Sequence, residues 1–194
     1  MLELLLSFLA AALFSNLVLS TGFGSSLLLR VTRRPKELLR FSAIMLLFTV
    51  LTTVATYYLL PLLTFKGGHY LRPLVVIVTV TLLYLLTVLI LKKAFPSLHK
   101  RVELWLPMAA YNNVAVGVCL IVNHQYAMSL LGSIGVAIGA CVGFCVLSLL
   151  VAEAREQMDH SDMPRAFRGL PITLLWFGLM ALAMLGFSSS ISFI

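Results

Sequence analysis

Long apolar runs separated by short polar connections are the feature that most constrains this chain. A helix needs roughly 20 apolar residues to cross a bilayer, and the sequence offers six runs of about that length. Only 11% of the residues are charged, whereas about 25% are charged in a typical globular chain. Because backbone groups in lipid must be hydrogen-bonded within their own segment, each run is predicted to be a helix. The sequence therefore predicts an all-α membrane protein with six transmembrane helices in one domain, residues 1–194.

The predicted spans cover about residues 2–29, 38–63, 73–91, 102–122, 126–152 and 169–187. The first span is expected to be retained, because the N-terminus lacks the basic region and the cleavage site of a signal peptide. Three cysteines lie inside the spans, which favours apolar packing over a disulfide framework. They are Cys119, Cys141 and Cys145.

The basic residues indicate the orientation of the chain. Twelve of the 14 Lys and Arg residues lie in or directly beside the first, third and fifth connections between spans. Since basic loops stay on the cytoplasmic side, both termini are predicted to face outward from the cytoplasmic membrane. The net charge of +7 is therefore interpreted as a topology signal in contact with the lipid bilayer. Nucleic acid is not an expected partner.

Two polar stretches interrupt the first and the fourth spans. Asn16 and Asn113 are 97 residues apart, which is half of the 194-residue chain. This offset predicts an inverted 3+3 repeat, with pseudo-repeats of about 1–97 and 98–194 and with broken helices one and four. Paired interruptions in such folds point to a site near the bilayer midplane. The candidate residues for an ion or solute site, or for the helix break itself, are Asn16, Gly22, Gly24, Asn112, Asn113 and Gly117.

The asparagines of the two breaks have two open roles. Their amide oxygens are suited to coordinate an ion or a solute in discontinuous helices. The more ordinary role is that the same amides cap the broken helix ends and link spans one and four.

Small residues recur in span five at the spacing that lets two helix backbones approach closely. The packing candidates are Gly132, Gly135, Gly139 and Gly143. A charged segment follows this span and is either a docking surface for a cytoplasmic partner or a solvated loop. Its candidate docking residues are Arg155, Glu156, Asp162 and Arg168. The four histidines lie in or next to loops and are expected to be solvated. They are His69, His99, His124 and His160.

Several short stretches, in order along nearly the whole chain, resemble the Rnf/Nqr family of integral-membrane subunits. Within the family, the sequence is most similar to the A subunit of Rnf complexes. The counterpart of that subunit in Nqr complexes is named E. The matching stretches are Asn16-Leu17-Val18-Leu19, residues 92–98, Leu106-Pro107 with Asn112, residues 152–169, Gly178-Leu179-Met180 and Gly186-Phe187-Ser188.

This resemblance implies a subunit that pairs with a homologous E-type subunit in a membrane complex. Each subunit of such a pair contributes two cysteines to an iron–sulfur cluster held between them. The family's ligand positions fall here on Ser26 and Asn113, and neither residue is a thiolate donor. Cys119 lies six residues after position 113 and therefore cannot simply replace the missing cluster ligand. An acidic residue that the family pattern places late in span three is replaced by Val88.

The leading hypothesis is a cysteine-lacking structural or gating subunit of an electron-transport, ion-translocating complex that ligates no cluster and no other metal by itself. On this hypothesis the chain is at most a non-catalytic subunit of an oxidoreductase. The alternative is a stand-alone secondary transporter or channel with a solute or ion site at the broken helices. Solute flux in proteoliposomes that contain only this protein distinguishes the two.

Overall fold

The computed structural model describes residues 2–14, 19, 22, 35–63, 68–125, 129–159, 164 and 167–191. Within these ranges every regular element is a helix. The α-helices are α1 (Leu2–Leu9), α2 (Pro35–Leu59), α3 (Arg72–Ala94), α4 (Pro96–Val102), α5 (Leu106–Ala110), α6 (Asn113–Gln125), α7 (Leu130–Asp159) and α8 (Leu170–Ile191). A π-helical segment, Ala10–Phe14, extends α1, and short 3-10 turns at Leu60–Leu62 and Gly68–Leu71 lie between α2 and α3.

Six apolar helical segments match the six predicted spans. Four are long and apolar enough to cross a bilayer, and two are shorter. The long ones are Leu38–Leu59, Arg72–Ala94, Trp105–Val122 and Leu130–Met158, and the shorter ones are Leu2–Ala12 and Leu170–Gly186. The predicted helical membrane fold is thereby confirmed. The second half of span one, as the sequence predicts it, falls mostly outside the described residues.

Prolines set several helix starts in the middle of the chain. A proline occupies one of the first two positions of α3, α4 and α5, where the missing N–H has no intrahelical partner to lose. The last turn of α3 carries Lys92 and Lys93, which complement the negative end of the helix dipole. Phe95, with φ of −138°, then separates α3 from α4.

Close contact between α1 and α7 depends on two glycines. A Cβ atom on Gly135 would lie 2.6 Å from the carbonyl oxygen of Leu4, and one on Gly139 would lie 2.5 Å from that of Phe8. Residue numbers rise together along the two helices, so α1 and α7 are parallel. Parallel packing is what spans one and five require in a chain that crosses the membrane at every span. Gly132 and Gly143 are also buried.

Parallel packing recurs between α6 and α2. Asn112, at the start of α6, contacts Met45, and Cys119 contacts Thr53. Span four thus packs on span two as span one packs on span five. Span two also contacts span three, and span five contacts span six. Exchanging the two halves of the chain leaves these pairings unchanged, which supports an internal repeat. The inverted sense of the repeat and its boundaries near residue 97 remain predictions.

The core lies between α2 and α7. Phe41 of α2 packs its ring against Trp105 and against Phe144 of α7, with centroids 6.2 Å apart in both pairs. The helices α3 and α8 lie outside and expose leucines such as Leu82 and Leu182. An apolar surface of this kind is compatible with contact to lipid.

One of the four histidines is buried. His99 of α4 is buried, and neither ring nitrogen has a hydrogen-bond partner among the described residues. The expectation that it is solvated is therefore wrong, because the side chain is only 9% exposed. The side chains of His69 and His124, and all of His160, lie outside the described part of the chain.

Replacing Gly139 with alanine is expected to lower the stability of the protein by about 1–3 kcal/mol, the usual range for overpacking a tight contact. The added methyl group meets the backbone of Phe8 and Ala12 and the Cβ atom of Ala11, so no flexible side chain can yield. Thermal unfolding in one detergent measures the effect. Gly178→Ala is the matched control, because no described atom lies within 4 Å of its Cβ position. Equal unfolding temperatures for both variants would contradict close packing at Gly139.

Candidate functional site

The fourth span is broken near its middle, as the sequence predicts. Helix α5 is only five residues long and ends at Ala110, and α6 begins at Asn113. The N–H of Tyr111 closes α5 by donating to the carbonyl of Pro107 at 3.0 Å. The counterpart in span one is described only at Leu19 and Gly22, and the φ of Gly22, +72°, lies in the left-handed region that favours glycine. Asn16, Gly24 and Ser26 fall outside the described residues.

Asn112 is buried in the break, and its side chain uses both polar ends. The Oδ1 atom accepts from the N–H of Val114 at 3.1 Å, and Nδ2 donates to the Sδ atom of Met45 at 2.9 Å. The first bond is a helix N-cap, which satisfies one of the unpaired N–H groups of α6. The second ties the break to α2. Of the two roles left open by the sequence, this geometry is that of a cap and a link between spans. Among the described residues this link runs to span two, and most of the break in span one lies outside them.

Asn113 differs from its neighbour, because it is exposed on the outside of the bundle. Beside the break, Tyr111 donates a hydrogen bond to Thr81 at 3.3 Å and packs its ring 5.5 Å from that of Tyr84. Tyr84 lies 12 residues, or about 18 Å, from the Arg72 end of α3, near half of the bilayer thickness. We call Thr81, Tyr84, Tyr111 and Asn113 the mid-span patch.

Tyrosines at this depth are unusual, since aromatic residues are enriched at membrane interfaces. An exposed side-chain amide in hydrocarbon is also costly. The mid-span patch is therefore a surface that favours contact with protein over contact with lipid.

The thiols do not converge on the break. Cys119 is fully buried, with its Sγ atom 3.6 Å from Thr53 Oγ1 of α2. Cys141 is buried in the core, and Cys145 is partly buried on the same helix. Among the described residues, no group of three or more His, Cys, Asp or Glu side chains is placed to hold a metal ion. Iron–sulfur clusters need thiolate ligands. The exposed amide of Asn113 and the inward thiols therefore do not fit the cluster that the resemblance implies.

The remaining candidates are dispersed. Gly117 is buried in α6. Of the candidate docking residues, Glu156 is exposed and Arg155 is half-buried, both near the C-terminal end of α7. Arg168, which follows α7 in the chain, is exposed, and Asp162 lies outside the described residues. At 30 residues, α7 is about 45 Å long, so it extends beyond a hydrocarbon core of about 30 Å. The docking role of this end stays a prediction.

Two polar features escaped the sequence analysis. One is the mid-span patch, which depends on contacts between spans three and four. The other is a set of buried threonines on α2, at positions 49, 52, 53 and 56. Their spacing of three and four residues is a helical-face signal that the sequence does contain.

Comparison with known proteins gives a consistent result. Residues 4–191 match the family model described as "Rnf-Nqr subunit, membrane protein". The chain is 32% identical to the A-type subunit of the Na(+)-translocating ferredoxin:NAD(+) oxidoreductase complex of Acetobacterium woodii, covering 96% of this chain and 97% of that protein. It is 31% identical to the A-type subunit of the ion-translocating oxidoreductase complex of Actinobacillus pleuropneumoniae, with 97% of both chains covered. The corresponding subunit of Pasteurella multocida is 32% identical, over 97% of this chain and 98% of its own length.

Asn112→Ala is expected to destabilise the protein by about 1 kcal/mol or more, the usual cost of losing an N-cap. The variant also removes the link to Met45. Asn113→Ala, one residue further on, is the matched control and should change stability by less than about 0.5 kcal/mol, because its side chain is exposed. Thermal unfolding of both variants in the same detergent provides the comparison. A larger loss from Asn113→Ala would contradict the capping role of Asn112.

Proposed function

The chain belongs to the Rnf-Nqr family of membrane subunits, and from that premise we propose that it is a membrane subunit of an Rnf/Nqr-like electron-transport, ion-translocating complex. The observation that carries the proposal is similarity over nearly the full length to A-type subunits of ion-translocating oxidoreductases. The interrupted fourth span, held by Asn112, supports the same function.

Within that complex the chain ligates no iron–sulfur cluster by itself. Asn113 stands where the resemblance implies a thiolate, and the nearest cysteine in sequence, Cys119, packs against Thr53 in the interior. An amide does not replace a thiolate as a ligand for cluster iron. Electron transfer is accordingly an activity of the complex, to which this chain contributes a scaffold and an ion gate.

The partner at the mid-span patch is a homologous E-type membrane subunit. Tyr111 and Asn113 expose polar groups near the middle of the bilayer, where an uncovered amide costs free energy. A homologous chain with a similar break offers hydrogen-bonding groups at the same depth. The complex lies in the cytoplasmic membrane, and the positions of the basic loops support an outward orientation of both termini.

Purifying the chain together with its E-type partner tests the proposal. The expected result is a stable pair whose iron content and electron paramagnetic resonance spectrum are unchanged when Cys119, Cys141 and Cys145 are all replaced with alanine. The physical reason is that these thiols face the core and bind no iron.

The same triple substitution in the chain alone is the control for folding, followed by size-exclusion chromatography. Loss of iron from a correctly assembled variant pair would show that this chain ligates a cluster. Failure of the wild-type chains to co-purify would contradict the proposed partner.

A further inference from the structure

Two lysines and a phenylalanine are exposed together at the end of α3 that leads into α4. The N–H of Phe95 donates to the carbonyl of Leu91 at 2.9 Å, so Lys92, Lys93 and Phe95 share one turn of helix. All three side chains are exposed, and Phe95 exposes 60% of its surface. We call these three residues the cationic turn.

The length of α3 places the cationic turn at the depth of the lipid headgroups. Helix α3 has 23 residues and is therefore about 34 Å long, against about 30 Å for the hydrocarbon core. Lys92 lies 20 residues, or about 30 Å, from Arg72 at the other end of the helix. The leucines exposed between the two ends, such as Leu82 and Leu89, suit contact with acyl chains. The two ammonium groups consequently lie at the level of the phosphate groups of a bilayer.

The charge of this connection is strongly positive. Lys100 and Arg101 follow the cationic turn in α4, and Glu103 is the one acidic residue of the sequence between positions 92 and 104. Neither lysine of the cationic turn forms an ion pair with a described residue. The dipole of α3 favours cations at its C-terminal end, but an exposed ammonium group still has protons to donate to an external acceptor.

Apolar side chains are exposed beside these charges. Phe95 precedes α4, and Leu104, which follows it, exposes 72% of its surface. His99 in the middle of α4 is buried, so one side of this helix faces protein. Exposed apolar side chains next to cations are typical of a segment at the boundary between headgroups and acyl chains.

We infer that the cationic turn binds an anionic phospholipid of the class of phosphatidylglycerol. Lys92 and Lys93 supply positive charge and hydrogen-bond donors to the phosphate group, and the ring of Phe95 contacts the adjoining part of the acyl chains. A soluble anion would use the lysines and leave the exposed ring in water, which is unfavourable for apolar surface. The site goes beyond the proposed function, since it needs neither a redox partner nor a translocated ion.

Lipid binding to the purified full-length chain in a neutral detergent tests the inference, with bound lipid counted by native mass spectrometry. The wild-type chain should bind phosphatidylglycerol saturably and at least about tenfold more tightly than phosphatidylcholine with the same acyl chains. Lys92→Gln/Lys93→Gln should remove this preference. Phe95→Ala keeps both charges and should weaken binding about threefold or more.

Arg168→Gln is the matched control. Arg168 is an exposed cation at the same end of the bundle, but it lies beside α8, which packs on α7. This variant should keep the affinity for phosphatidylglycerol within about twofold. Because all the substituted side chains are exposed, the variants are expected to fold, and size-exclusion chromatography checks this.

Three results would overturn the inference. One is equal binding of the two lipids to the wild-type chain. Another is an equal loss of affinity in Arg168→Gln and in the lysine variant, which would show a general effect of surface charge. The third is displacement of phosphatidylglycerol by an equal concentration of glycerol 3-phosphate, which would show a site for soluble anions.

Discussion

The hydrogen bonds of Asn112 make an interrupted helix tolerable inside a membrane. Backbone groups in hydrocarbon have no water to bond with, so a break in a span needs internal partners. Asn112 supplies one to Val114 and anchors its own amide on Met45 of α2. The break is thus fixed against span two, and its exposed side, with Tyr111 and Asn113, has a defined position on the surface of the bundle.

The two long central helices organise everything else. Helix α1 packs against α7 at Gly135 and Gly139, and α6 packs against α2 at Met45 and Thr53. Both contacts are parallel, and the contact of span one with span five has its counterpart in the contact of span four with span two. This arrangement leaves α3 and α8 outside, where their leucines face apolar surroundings. The polar groups are divided accordingly, with hydroxyls inside along α2 and the mid-span patch outside at the break.

The sequence predicted those features that depend on a single segment. Span number follows from the lengths of apolar runs, because bilayer thickness fixes the length of a helix that crosses it. The break at 111–112 was predictable because Asn and Gly interrupt an apolar run. The link from Asn112 to Met45 was not predictable, because these residues are 67 positions apart and their contact depends on how α6 and α2 are rotated against each other. The burial of His99 escaped prediction for the same reason, because it depends on the tertiary packing around α4.

At the break in span four, the resemblance to a cluster-binding family implies a cysteine at position 113, but this chain has an asparagine there. The central claim is that this chain keeps the frame of that family without ligating the cluster. A cryo-electron microscopy map of the chain with its E-type partner tests it most directly. We expect Asn113 to contact the partner subunit at the mid-span patch, and we expect no cysteine of this chain to lie within bonding distance of iron. Density for a cluster bonded to Cys119, Cys141 or Cys145 would contradict it.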